Sequence, residues 1–175
     1  MFVTTYEYDR LARMTRRDHP DAGTTKNTYD PDGNLIHEQN PLGEITYAYN
    51  YNRLIRKSYS EIPGNEVKYN YGTDGTDRGR VIEILDGTGL RTLRYDALGN
   101  VVSEERLVAL PGFTGSYPFR TLYSYDSWGR MDSMTYPDGE VVTYEYTWGG
   151  DLLSMTGDKG SERHIYVRGI TYNDL

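Results

Sequence analysis

The stretch Tyr123-Ser124-Tyr125-Asp126-Ser127-Trp128-Gly129-Arg130-Met131, followed by Pro137-Asp138-Gly139, decides the fold of this chain. Asp126 suits the opening of a type I turn, because its carboxylate accepts local backbone N–H groups. Gly129 suits the positive-φ position that closes a hairpin with a small bulge. Arg130-Met131 then begins a strand, and Pro137-Asp138-Gly139 reverses the chain a second time. Tyr123 and Tyr125 lie two apart on the strand leading into the first turn, so both point to one face.

The same grammar runs along the chain with a period of about 21 residues. Tyrosine pairs stand at Tyr6/Tyr8, Tyr47/Tyr49, Tyr69/Tyr71, Tyr123/Tyr125 and Tyr144/Tyr146, with weaker copies ending at Tyr29, Tyr95 and Tyr166. Aspartate-to-glycine turns recur at Asp30–Gly33 and Asp96–Gly99, with a longer version over Gly72–Gly79. A polar–apolar pair follows each, as in Asn34-Leu35, Arg80-Val81 and Asn100-Val101. The second turns are Pro20–Gly23, Pro41–Gly43, Pro63-Gly64, Asp86-Gly87, Pro137–Gly139 and Asp158–Gly160. A fixed period in this range marks a repeat architecture. Each period holds two strands and two turns, which is one β-hairpin. The expected fold is therefore all-β: a curved strip of consecutive antiparallel β-hairpins, about eight repeats long. Open twisted sheets of more than ~10 strands tend to curl, and the tyrosine face is expected on the concave side. Gly or Pro interrupts every helix-length window, so helix is disfavoured.

Three departures are expected to matter. The first repeat reads Asp9-Arg10-Leu11-Ala12 and the third Asn50-Tyr51-Asn52-Arg53, both without the glycine, so looser or different turns are expected there. Tyr95 to Tyr125 is longer than one period, and the surplus falls in residues 107–119. That segment reads as a loop insertion folded onto the sheet, the alternative being a contact site for a partner or for another turn of the array.

Composition narrows function. Residues 1–175 fit a single array. Only 37% of residues are hydrophobic and mean hydropathy is −0.73, yet 18 tyrosines supply large buriable rings with polar tips. The net charge of −7 disfavours nucleic acid and anionic membranes as partners. Cysteine is absent, and neither a transmembrane segment nor a signal peptide is legible. The chain opens almost directly into a repeat and ends at Tyr172–Leu175, which looks like a motif cut before its glycine. A piece of a longer array is expected.

No constellation points to catalysis. His19, His37 and His164 show no metal-ligand spacing and are expected to face solvent. Asp30, Asp32 and Asn34 superficially suggest a calcium loop, but Leu35 and Pro41 occupy its glycine and glutamate positions. Glu104 and Glu105 point to opposite faces of a strand. No Gly-x-Ser-x-Gly elbow is present, and Gly72–Gly79 lacks a phosphate-loop lysine. Trp128 and Trp148 are expected to cover hairpin ends. Neither enzyme activity, a cofactor nor a metal is expected.

The pattern Tyr-x-Tyr-Asp-x-x-Gly-Arg/Asn-apolar, then Pro-Asp-Gly-x-x-x-x-Tyr, resembles the YD-repeat or Rhs (rearrangement hotspot) family. It is clearest in Tyr123–Met131 with Pro137–Gly139 and in Tyr29–Leu35 with Pro41–Gly43, and it covers essentially the whole chain. The resemblance implies a hairpin strip that spirals into a hollow, tyrosine-lined shell. In bacterial Rhs proteins and insecticidal toxin complexes such a shell encloses a C-terminal toxin; related shells occur in teneurins. It implies a secreted or cell-surface location. So few repeats cannot close a shell. Family shells often end in a self-cleaving Asp-Pro-x-Gly-Leu segment, but Asp30-Pro31-Asp32-Gly33 runs into Asn34 and reads as a repeat turn. The cleavage module and toxin are expected outside this chain.

Two functions follow as expectations. The first is a non-enzymatic structural segment of a YD-repeat shell, partnered by other repeats of its parent chain and by an enclosed toxin or other cargo. The second is a tyrosine-rich module binding carbohydrate or a cell surface, with Tyr47, Tyr49, Tyr69, Tyr71, Tyr123, Tyr125, Tyr144 and Tyr146 as the candidate face and a glycan as partner. Open strand edges and an uncovered aromatic face also suggest self-association.

Overall fold

The computed structural model describes residues 3–62, 64–109 and 115–172. Fifteen strands are β1 (Thr5–Tyr8), β2 (Met14–His19), β3 (Gly23–Tyr29), β4 (Leu35–Asn40), β5 (Gly43–Asn50), β6 (Arg53–Tyr59), β7 (Glu66–Tyr71), β8 (Val81–Asp86), β9 (Gly89–Tyr95), β10 (Val101–Ala109), β11 (Ser116–Tyr125), β12 (Met131–Thr135), β13 (Val141–Tyr146), β14 (Leu152–Lys159) and β15 (Glu162–Arg168). Strand order follows chain order, and helix among the described residues is confined to one 3₁₀ turn at Gly75–Asp77. The expected all-β hairpin array is present. Contacts divide it into two compact units, one reaching to Asn70 with Ile84–Thr88 added, the other comprising Tyr71–Glu83 and Gly89 onward.

In the first unit β1 to β7 pair antiparallel in sequence, with Thr46 opposite Ser58 and Tyr47 opposite Lys57. In the second, β9 to β15 do the same, with Tyr144 opposite Met155 and Val142 opposite Gly157. Strands rich in Thr, Val, Ile and Tyr suit a pleated, half-buried surface. A one-layer sheet has little interior. Among described residues only Leu93 and Val142 are buried hydrophobics, with Thr25 the buried polar side chain. By the two-residue period, Thr25 shares its face with Tyr29, Leu93 with Tyr95, and Val142 with Tyr144 and Tyr146. The tyrosine face is thus where packing concentrates in each unit.

Several expectations need correction. The surplus at 107–119 is mostly strand: Leu107–Ala109 lies in β10 and Ser116–Phe119 in β11, with Arg106 opposite Phe119 and Val108 opposite Tyr117. Valine and aromatic residues favour extension, so the two strands of this hairpin are lengthened. Residues 110–114, and Pro63 of one second turn, lie outside the described residues, as does the chain after Tyr172. The first turn is no looser than its glycine-bearing relatives: Ala12 adopts φ 60° and its N–H bonds Asp9 O at 3.1 Å. The third turn does differ in type, because Tyr51 and Asn52 both take positive φ (47° and 61°) between the paired Asn50 and Arg53. That is the signature of a two-residue type I′ hairpin. Trp128 and Trp148 sit in turns as expected, but they are 71% and 100% exposed. Trp148 therefore covers nothing.

Candidate functional site

Four of the repeat turns are held by a carboxylate clamp, at Asp9, Asp30, Asp96 and Asp126. Asp126 Oδ1 accepts the N–H of Trp128 (2.9 Å) and of Arg130 (3.0 Å), while Oδ2 accepts Arg130 Nε (2.7 Å). Asp9 does the same with Leu11 and Arg13. Asp30 and Asp96 hold Asn34 and Asn100 in the same way, through backbone N–H and side-chain amide. Thr147 substitutes in a further turn, its Oγ1 accepting Asp151 N–H at 3.2 Å. These bonds hold all four aspartates below their ordinary pKa. The Asn34 and Asn100 amides dominate for Asp30 and Asp96, and the Arg13 backbone N–H for Asp9. At Asp126, desolvation alone would raise the value, and Arg130 outweighs it through its N–H and guanidinium.

An arginine at the end of three of the turns also reaches the next repeat. Arg13 lies 4.8 Å from the centre of the Tyr29 ring, Arg80 5.6 Å from Tyr95, and Arg130 4.5 Å from Tyr146. These are cation–π distances. The glycine of the next turn leaves room for the same guanidinium. A Cβ on Gly99 would stand 2.6 Å from Arg80 Nη2.

At six places the tyrosine before a repeat turn, the second of its pair where there is a pair, pins successive hairpins together. Tyr29 donates its hydroxyl to Met14 O (2.8 Å), Tyr49 to Leu35 O (2.9 Å), Tyr95 to Val81 O (2.7 Å), Tyr125 to Val101 O (3.0 Å), Tyr146 to Met131 O (2.8 Å) and Tyr172 to Leu152 O (3.1 Å). The acceptor is always the apolar residue just after the previous repeat's turn. Register explains why it is available. The β4–β5 ladder stops at His37 opposite Thr46, and the β12–β13 ladder at Ser133 opposite Thr143. Leu35 and Met131 lie beyond those last rungs, and the phenol supplies the donor that the backbone no longer offers. Tyr172, not Tyr166, continues this row.

The first tyrosines are packed differently. Tyr47 donates to Glu38 Oε2 (3.3 Å), with Lys57 Nζ 5.5 Å from its ring centre. Burial, then the Glu38 charge, pushes the Tyr47 hydroxyl up to about 12. Burial likewise raises Tyr123 and Tyr144. Tyr47, Tyr49, Tyr69, Tyr71, Tyr123, Tyr125, Tyr144 and Tyr146 are all half-buried. Sequence reasoning placed each pair on one face but missed the division of labour between its two members. The signal available for the second tyrosine was its distance of 14 or 15 residues from the acceptor in four of the six cases (14 to 29, 35 to 49, 81 to 95, 131 to 146).

The histidines do local work. His19 Nδ1 accepts the N–H groups of Asp21 and Ala22 at 3.1 Å, His37 Nε2 lies 3.4 Å from Glu44, and His164 packs edge-on against Tyr166. Among the described residues no group of three His, Cys, Asp or Glu is placed to hold a metal. Among the described residues no helix is long and apolar enough to cross a membrane.

Among known proteins, the double-stranded DNA deaminase toxin A of Burkholderia cenocepacia (strain H111) is 28% identical over 171 residues, covering 86% of this chain and 11% of the relative. A crystal structure of TcdB2–TccC3 superposes with a TM-score of 0.81 at 17% identity, covering 97% of this chain and 10% of that one. The Photorhabdus luminescens Tc holotoxin pore gives 0.81 at 18% identity, covering 97% and 9%. No family model matches the chain. The chain thus spans about a tenth of the length of the proteins it is similar to. Its repeat grammar and its fold together relate it to the YD-repeat, or Rhs, proteins.

Proposed function

We propose that this chain is a non-enzymatic wall segment of a YD-repeat shell whose parent protein encloses a toxin or other cargo and is exported. One observation carries this: six phenol-to-carbonyl bonds each pin a hairpin to the one before it. The repeats are thereby a self-propagating wall, in which each unit completes the last one. The likeness to a protein named as a toxin, and to Tc toxin structures, supports a toxin context for the parent. The chemistry of that relative's name attaches to the whole relative, of which this chain matches about a tenth. The test is limited proteolysis of the parent protein. Cargo should resist protease until the wall is unfolded. Cargo cleaved as fast as the isolated cargo domain contradicts enclosure.

Strand edges support a second, smaller proposal of self-association in the isolated chain. Among the described residues β1 pairs only with β2 and β15 only with β14, and Tyr6 and Tyr8 are exposed beside the first edge. An open edge is a template for another strand. Light scattering should show mass above 20.1 kDa at high concentration; a monomer throughout contradicts it.

A further inference from the structure

A concavity of about 440 Å³ lies on the tyrosine face of the second unit. Tyr136, Tyr144 and Tyr166 supply its rings, Val142 and Met155 its apolar wall, and Glu140 its carboxylate. Glu140 and Tyr166 can lie over β14 in this way because Gly157 has no side chain. A Cβ there would stand 2.3 Å from Glu140 Oε1 and 2.7 Å from Tyr166 Cε2. Tyr166 itself sits at the register shift between β14 and β15, where Thr156 faces Ile165 and Met155 faces Val167. Such bulges re-aim a side chain, and this one brings the ring over Gly157 with its hydroxyl donating to Glu140 Oε1. Lys159 neutralises Asp138 at the rim (2.7 Å). Lys159 also feels the Glu140 charge at a distance, while the Glu140 carboxylate keeps further acceptor sites after taking one hydroxyl.

We infer that this concavity is a binding site for the alkylammonium or guanidinium group of a Lys or Arg side chain on a polypeptide held against the tyrosine face. Three tyrosine rings attract a cation through their faces. Glu140 adds a full negative charge beside them. Val142 and Met155 match the methylene stem of such a side chain, whose charged tip and apolar stalk suit a pocket with both characters. The net charge of −7 draws cationic segments toward the chain. This site stands on its own geometry and does not depend on enclosure, so its failure leaves the wall proposal untouched.

The test is NMR of the 175-residue chain with labelled tyrosine rings, titrated with Nα-acetyl-lysine amide, Nα-acetyl-norleucine amide and cellobiose. The lysine derivative should shift Tyr136, Tyr144 and Tyr166 saturably, with the norleucine derivative and cellobiose leaving them in place. Glu140→Gln, which keeps the shape and removes the charge, should weaken binding about tenfold. Gly157→Ala, which displaces the Glu140 and Tyr166 side chains, should abolish it. If Gly157→Ala does not fold, Glu140→Gln decides alone. Equal binding of the norleucine derivative, saturation by cellobiose without lysine, unchanged affinity in Glu140→Gln, or no shift with lysine overturns the proposal.

Discussion

The two ends of each hairpin are built on different principles. At the Pro/Gly end the backbone ladder runs straight into the turn, to Asn40 opposite Gly43, Thr135 opposite Val141, and Lys159 opposite Glu162. At the aspartate end neighbouring hairpins part company after their last rung, and side chains finish the job: a carboxylate clamp within the repeat and a phenol between repeats. Main chain fixes register at one end, side chains at the other. This explains why the second turns vary freely, as Pro20-Asp21-Ala22-Gly23, Pro41-Leu42-Gly43 or Asp86-Gly87-Thr88-Gly89, while the first turns keep returning to Asp-x-x-Gly-Arg/Asn.

The contrast can be broken most severely at its backbone end. A Cβ on Gly89 (φ 137°) would stand 1.9 Å from Leu107 O, a main-chain atom that cannot swing aside. Gly89→Ala should cost about 3 kcal/mol or more, read by denaturant midpoint. At the side-chain end, Tyr146→Ala should cost about 2 kcal/mol, from a half-buried ring and its hydrogen bond. Tyr146→Phe keeps the ring and should cost about 1 kcal/mol, the Met131 carbonyl being left without its donor. Gly129→Ala should cost no more than that, about 1 kcal/mol of backbone strain, because φ is 76° but nothing lies within reach of the added carbon.

Stability should also show two pH limits. The aspartate clamps have depressed folded-state pKa values. Their contribution is present above the unfolded value of ~3.9 and is lost as pH falls through the lower folded values. Tyr47, raised to about 12, works with the opposite sign. Its contribution is complete below the unfolded value of ~10 and is lost as pH climbs toward the folded one. Thermal melts across pH should therefore show a plateau between these limits. A protein that loses stability steadily across neutral pH contradicts this account.

Much of this was legible in the residues. Period, strand count and both turn families follow from Tyr-x-Tyr, Asp-x-x-Gly and Pro-x-Gly spacing, since turn chemistry is local. The shared face of Tyr123 and Tyr125 follows from the strand period alone. The pins were not legible, because they depend on where a ladder stops, and rung count is set by the paired strands together. Nor was the long β10–β11 hairpin: Pro111, Gly112, Gly115 and Pro118 look like loop punctuation, yet Pro118 lies within β11, opposite Leu107. The pocket escaped because Gly157 reads as an ordinary strand glycine until Tyr166 is seen lying over it. Ala12 holds a positive φ without being glycine, supported by the same Asp9 clamp that the other turns use.

The central claim is that the second tyrosine of each pair joins one hairpin to the next, and the first does not. It is tested most directly by two sets of tyrosine-to-phenylalanine variants compared in denaturant unfolding. One set combines Tyr29, Tyr49, Tyr125 and Tyr146; the other combines Tyr47, Tyr69, Tyr123 and Tyr144. The account predicts that the first set loses several times more stability than the second, because only there does each lost hydroxyl take a donor from a main-chain carbonyl. Equal losses, or a larger loss in the second set, would contradict it.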